Sequence, residues 1–397
     1  MAEFFKKKLN NGLTVLFEPR KLDVVSVSAS VNWGAAFEPG HSKGISHFIE
    51  HLMFKGTKTR DQEEIAREIE KKGGILNAYT SEEVTSYWCK LPSKHVSSGI
   101  EIASDLILNP RFDSEEFEKE KQVIIEEIKM YHDNPRYYVM DKIKGLLYKK
   151  PFGMSIAGKA EIVRGLTMER VIDLFKSKYT SDSMILSVVG NADFDEICKK
   201  AEKIFPKTQR KIIEHAPVRM NSQESESRAG IDQTHFVFGF HAPSLKDRER
   251  YAYEVMAAYL FAGMSSRLWQ EIREKRGLVY SINGDFDLGS RYGYCAIYAG
   301  TRKEKVREIK QIILEEIKKL KEVSARDIEE CKEQVIGVKK IAEEDSSSAM
   351  NSIMLEEVAG GAEEYYKHEE NIIGVGPDEI RKLACLKNYS SFALVPK

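Results

Sequence analysis

Gly44-Ile-Ser-His-Phe-Ile-Glu-His-Leu-Met-Phe-Lys-Gly56 is the stretch from which the rest of the chain can be read. As a helix it sets His47 and His51 one turn apart on one face, because side chains at i and i+4 stack there. Glu50 borders that face, while Phe48, Ile49, Leu52 and Met53 make an apolar opposite face suited to a core. Two imidazoles at this spacing can grip one metal ion. The competing reading is two core histidines and a solvated glutamate. It would suit a lone His, but chance places this triplet in such a chain only about once in a hundred. A metal here needs a third protein donor from elsewhere in the chain.

Working outward, Leu13, Val15 and Phe17 alternate after the Asn11-Gly12 turn and predict an opening hairpin. Alternation from Val25 to Trp33 predicts a strand with one wet face. Beyond the central helix, a second helix over about 61–72 ends at Gly73-Gly74, followed by the segment Ile75 to Thr80 and a strand over 85–91. Asn77, Ala78, Tyr79 and Thr80 read either as an edge strand able to pair with an extended peptide or as an internal hairpin strand. A helix over 96–108 stops at Asn109-Pro110, and a longer one capped by Asp113 runs to about Tyr131. Further helix, a buried strand over 184–189 and a helix capped by Asp193 close the half.

From Pro206 to about Gly230 the composition turns to Lys, Arg, Ser, Gln and Glu with little periodicity, which predicts a linker. The pattern then repeats: a strand over 234–240, a helix over about 250–275, strands over 278–288 and 292–299, and two long helices. Lys121-Gln-Val-Ile124 is echoed by Glu333-Gln-Val-Ile336, an offset of 334 − 122 = 212. Ser86-Tyr-Trp-Cys89 is echoed by Tyr292-Gly-Tyr-Cys295, and Tyr179-Thr-Ser by Tyr389-Ser-Ser. The expected fold class is therefore α+β, with two tandem homologous domains. The expected bounds are 1–205 for a metal-binding domain, 206–230 for the linker and 231–397 for the second copy. Adding 212 to His47, Glu50 and His51 lands on Tyr259, Ala262 and Gly263, so the second copy is expected to lack the metal site.

The charge is nearly balanced, 61 basic against 62 acidic side chains, which makes no electrostatic case for a nucleic-acid or membrane partner. Met1 to Lys8 lacks the apolar core of a signal peptide, and no apolar run approaches membrane-spanning length. Cys89, Cys198, Cys295, Cys331 and Cys385 are scattered without a C-x-x-C pair, the usage of a reduced, cytoplasmic protein.

The candidate third donor lies in Phe117-Glu-Lys-Glu-Lys-Gln-Val-Ile-Ile-Glu-Glu-Ile128, where Glu120 and Glu127 are seven apart and share a helix face. On spacing alone, solvated acids remain the alternative. Four stretches together resemble the pitrilysin and processing-peptidase metallopeptidases of the short, two-domain bacterial or archaeal type. They are 44–57 with its His-x-x-Glu-His string, the order that marks inverzincins, then Gly73 to Thr80, Glu120 to Glu127, and Leu268 to Ser281.

The resemblance implies antiparallel sheets with flanking helices in each half and one Zn²⁺ per chain held by His47, His51 and Glu127. It gives Glu120 a supporting place behind the metal and sets Arg273 and Tyr280 against substrate. The implied reaction is endoproteolysis of extended peptides, unfolded segments or presequence-like segments inside a closed chamber. Glu50 would move the proton, Tyr280 would donate to the oxyanion, and Arg273 would hold the substrate. Larger relatives close four such units like a clamshell, so two units imply a homodimer with Arg273 and Tyr280 acting in trans. The alternative class is a catalytically silent, peptide-binding or scaffold subunit of a heteromeric peptidase; intact His47, Glu50, His51 and Glu127 speak against it.

Overall fold

The computed structural model describes residues 3–209 and 216–397. Among these residues eleven strands form two sheets. The first contains β1 (Phe5–Lys8), β2 (Thr14–Pro19), β3 (Val24–Val31), β4 (Ile75–Thr80), β5 (Thr85–Pro92) and β6 (Met184–Gly190), in the spatial order β1-β2-β6-β3-β5-β4. The second contains β7 (Gln223–Arg228), β8 (Thr234–His241), β9 (Val279–Leu288), β10 (Gly293–Thr301) and β11 (Ser390–Pro396), in the order β7-β11-β8-β10-β9. Matching β2 to β7, β6 to β11, β3 to β8, β5 to β10 and β4 to β9 superposes the two topologies. Even the single parallel pair recurs, β2 with β6 and β7 with β11. The duplication expected from the sequence is thus present in five matched strands, with β1 extra to the first sheet, and the fold is α+β with helices flanking two mostly antiparallel sheets.

In the first half the helices are α1 (Ile45–Met53), α2 (Gln62–Glu70), α3 (Val96–Leu108), α4 (Ser114–Asp133) and α5 (Pro135–Leu147), then α6 (Ala160–Arg164), α7 (Met168–Lys178) and α8 (Phe194–Ile204). The second half carries α9 (Arg250–Leu260), α10 (Val306–Lys319), α11 (Ala325–Glu343) and α12 (Ser346–Ala359). The expected caps hold: the Asp113 carboxylate accepts from the amides of Glu115 and Glu116, and that of Asp193 from the amide of Glu196.

Four expectations need correction. The chain divides into two compact units that are not contiguous: 1–128 with 155–215 and 342–366, and 129–154 with 216–341 and 367–397. Two helices have changed places relative to the expected 1–205 and 231–397. Helix α5 packs on β8, β11 and β10, and α12 packs on β6, β3 and β2. The exchange follows from α4 and α11, each of which carries the chain out of one unit and into the other.

The second correction concerns β3. Its supposed wet face is buried, with Ser26, Ser28 and Ser30 at most 1% exposed, because α12 lies on it. The hydroxyls of Ser26 and Ser346 meet at 2.9 Å across that contact. Small hydroxyl side chains let a helix approach closely, which alternation alone cannot distinguish from solvation.

Third, the expected linker 206–230 contains β7, which pairs in parallel with β11; residues 210–215 of that linker lie outside the described residues. Fourth, the expected helix over 250–275 is broken. α9 ends at Leu260, Gly263 takes a left-handed φ of +89°, and a π-helical turn follows at Trp269–Glu274.

Helix α5 meets the second sheet at Gly239, where an added Cβ would lie 2.6 Å from Cγ1 of Ile143. Gly239→Ala is therefore expected to cost about 1–3 kcal/mol through overpacking, read as a lowered Tm. Adding Ile143→Ala should cost less than the sum of the two single changes. Strict additivity would show that α5 does not press on β8.

Candidate metal centre

Helix α1 is held by its apolar face, with Phe48, Ile49, Leu52 and Met53 all in the core beneath the first sheet. Its N-terminus has no side-chain cap from Gly44, whose φ of +99° and close approach to Ala157 O (2.6 Å from an added Cβ) exclude larger residues. The buried Glu38 carboxylate does that work, accepting from the Gly44 amide at 2.9 Å and the Ser46 amide at 2.6 Å. Burial pushes Glu38 up to about 7 against the opposing pull of Lys43 and those two amides.

With α1 fixed, His47 and His51 stand side by side, ring centroids 4.7 Å apart. Glu127 arrives from α4, its Oε2 lying 3.7 Å from Nε2 of His47 and 3.3 Å from Nε2 of His51. One donor atom from each of the three lies within 4.8 Å of the other two, the only such group of three among the described residues. Two imidazoles and one carboxylate are the donor set of a catalytic zinc centre, with a fourth position left over.

Electrostatics favours a cation at this point. Burial, reinforced by His51, lowers His47 to about 4, so its ring is neutral and able to ligate. Burial alone would lower His51 as well, yet Glu120 and Glu127 outweigh it and raise His51 to about 9. A cation bound among these groups would take over the electrostatic place of a proton on His51. The buried Nδ1 of His47 has no hydrogen-bond partner among the described residues.

Glu120 meets the other nitrogen of the His51 ring. Its Oε2 is 3.0 Å from Nδ1 of His51, and its Oε1 is 2.7 Å from Nζ of Lys55. Burial would raise Glu120, but His51 and Lys55 together hold it below the usual carboxylate range. Lys55 escaped the sequence reading, although its place one turn beyond His51 on the same helix was a usable signal.

Glu50 is not among the three donors; its Oε2 instead accepts from the Thr80 hydroxyl at 2.5 Å. Burial raises Glu50, and the Thr80 bond pulls partly back. Thr80 ends β4, which is at once an outer strand of the first sheet and one arm of a hairpin with β5. The Ala78 amide is taken by the Asn77 side chain at 2.8 Å and faces away from β5, and Tyr79 turns inward to Asn351.

Arg273 and Tyr280 lie in the second unit. Arg273 belongs to the π-helical turn, a departure frequent at functional sites, and stacks 4.2 Å above the Trp269 ring. Tyr280 is 73% exposed. It is also the extra residue of a β-bulge, since Gly300 pairs with Ser281 and Thr301 with Val279. Bulges re-aim side chains beside active sites.

Comparison with known proteins agrees with this architecture. Residues 14–160 match the family described as Insulinase (Peptidase family M16), and residues 165–335 match the Peptidase M16 inactive domain. An uncharacterized zinc protease of Rickettsia bellii is 33% identical over 87% of this chain and 85% of its own. One from Bacillus subtilis is 30% identical over 86% of this chain and 85% of its own. A solved protease from Helicobacter pylori shares the fold over the full length of both chains, with a TM-score of 0.92 at 20% identity.

Glu120→Ala should weaken divalent-metal binding by about 10–100-fold, because His51 loses the group that orients its ring. Competition against a chelating dye, with circular dichroism to confirm folding, measures this. Unchanged affinity would remove Glu120 from the centre.

Proposed function

The chain belongs to the M16 peptidase family, and we propose that it is a zinc-dependent endopeptidase acting on extended peptides or unfolded segments. The observation that carries this reading is the convergence of His47, His51 and Glu127 beside a glutamate that is not a donor. These three would hold one Zn²⁺ per chain. A zinc ion in such a site supplies an acidified water and a polarised carbonyl. Glu50 would take a proton from the attacking water and pass it to the departing amine. Tyr280 donates its hydroxyl to the developing oxyanion, and Arg273 holds the substrate by charge.

Substrate would enter as an added strand along β4, whose Ala78 amide faces outward once Asn77 swings aside. Recognition by main-chain groups gives loose sequence preference, suited to unfolded or presequence-like segments within a chamber. The five free cysteines support a cytoplasmic place of action, and no helix of the described residues is long and apolar enough to cross a membrane. The working form in this proposal is a homodimer in which Arg273 and Tyr280 of one copy serve the metal centre of the other.

Glu50→Gln is expected to keep stoichiometric zinc and lose peptide cleavage by several orders of magnitude, whereas Glu127→Ala should lose the metal. A parent protein that binds zinc but cleaves nothing in a peptide mixture would favour the silent, peptide-binding subunit.

Trans action is tested by complementation between a Glu50→Gln chain and a Tyr280→Phe chain, each inactive alone. Mixed dimers pair one intact Glu50 centre with an intact Tyr280, so activity should partly return. Mixed dimers that form and stay inactive would place the pair in cis or outside the reaction.

A further inference from the structure

We propose that Thr80 is a positioning residue for Glu50, its hydroxyl setting the direction in which the carboxylate meets the water. The inference rests on the peptidase reading in one respect, that Glu50 is the base. A threonine hydroxyl at the end of an edge strand could have been left for substrate; here it donates to Glu50 Oε2 at 2.5 Å, with both residues half-buried. Proton transfer then falls to the other carboxylate oxygen.

The two partners are held by a common loop, which is what makes this contact a positioning device and more than a chance hydrogen bond. The turn after β4 is closed by the Ser81 amide on Val84 O at 2.7 Å. That turn is tied to the segment leading into α1, whose Ala35 and Ala36 amides donate to the carbonyls of Ser81 (3.0 Å) and Glu82 (2.7 Å). The same segment supplies Glu38 to the first turn of α1.

Between the two stands Lys43, fully buried, which donates to Ala35 O at 2.7 Å and lies 4.0 Å from Glu38 and 3.9 Å from Glu82. A buried ammonium with carboxylates on both sides resists displacement of either, since an unpaired charge there is costly. The strand bearing Thr80 and the helix bearing Glu50 therefore share one rigid support. The β-branched side chain adds its own stiffness at χ1. A carboxylate held this way is ordered before substrate arrives, so the reaction does not have to order it.

Thr80→Val keeps the shape and removes the donor, and Thr80→Ser restores the donor on a looser side chain. With zinc-loaded protein, Thr80→Val is expected to lower kcat about 10–100-fold with KM changed by less than about threefold, and Thr80→Ser to recover most of the loss. A rise in KM alone would return Thr80 to the substrate strand and overturn the proposal, as would a serine variant no better than valine. A second measurement does not depend on cleavage: the Tm values of Thr80→Val, Glu50→Ala and the double variant, all metal-free. Non-additive shifts are expected from the hydrogen bond, and additive ones overturn the assignment whether or not the parent cleaves peptide. A zinc-loaded parent that cleaves nothing overturns the peptidase reading by itself and leaves this cycle to decide the contact.

Discussion

Two carboxylates brought against two imidazoles at the edge of a hydrophobic core are the constraint on which the rest of the first unit depends. Glu120 and Glu127 sit about two turns apart on α4, and each faces His51. Side chains of this kind lose hydration as they enter the interior and are tolerated only with compensating charge. Lys55 supplies part of it at Glu120, and a proton on His51 supplies more. A cation placed among these groups would end the imbalance. For that to work, α1 and α4 must keep their spacing without help from the metal. The contact of Phe48 with Phe117, ring centroids 5.0 Å apart beneath the two helices, does this.

What could be read from the sequence was what depends on neighbours along the chain. The His-x-x-Glu-His face is a matter of i and i+4, and the caps at Asp113 and Asp193 are satisfied within three residues. The strand echoes likewise survive as matching topologies. The readings that failed were those where a distant segment decides the environment. Ser26, Ser28 and Ser30 alternate with valine and alanine as solvent-facing residues would, and only the arrival of α12 turns them into packing positions. Likewise 206–230 has the composition of a linker, yet 223–228 becomes a strand because β11 offers it an edge. The bulge at Tyr280 depends on the register of β10, which no local pattern encodes.

In the second unit α9 follows β8 as α1 follows β3, but its eleven residues include no histidine. The unit's five strands match β2 to β6 of the first sheet, and only β1 has no counterpart.

The helix exchange gives the second copy a structural role in the first unit. The first sheet has two faces to cover, and residues 1–205 cover one of them with α3. The other is covered by α12, whose Ala349, Met350, Ile353 and Met354 pack on Leu16, Ile185 and Val189. The same helix reaches the edge strand, where Asn351 takes the Tyr79 hydroxyl, and Asp345 at its cap pairs with Lys90 on β5. A sheet with one apolar face exposed to water is not a stable domain. The half of the chain that bears His47, Glu50 and His51 thus cannot complete its own core, and the segment that completes it lies within the second copy.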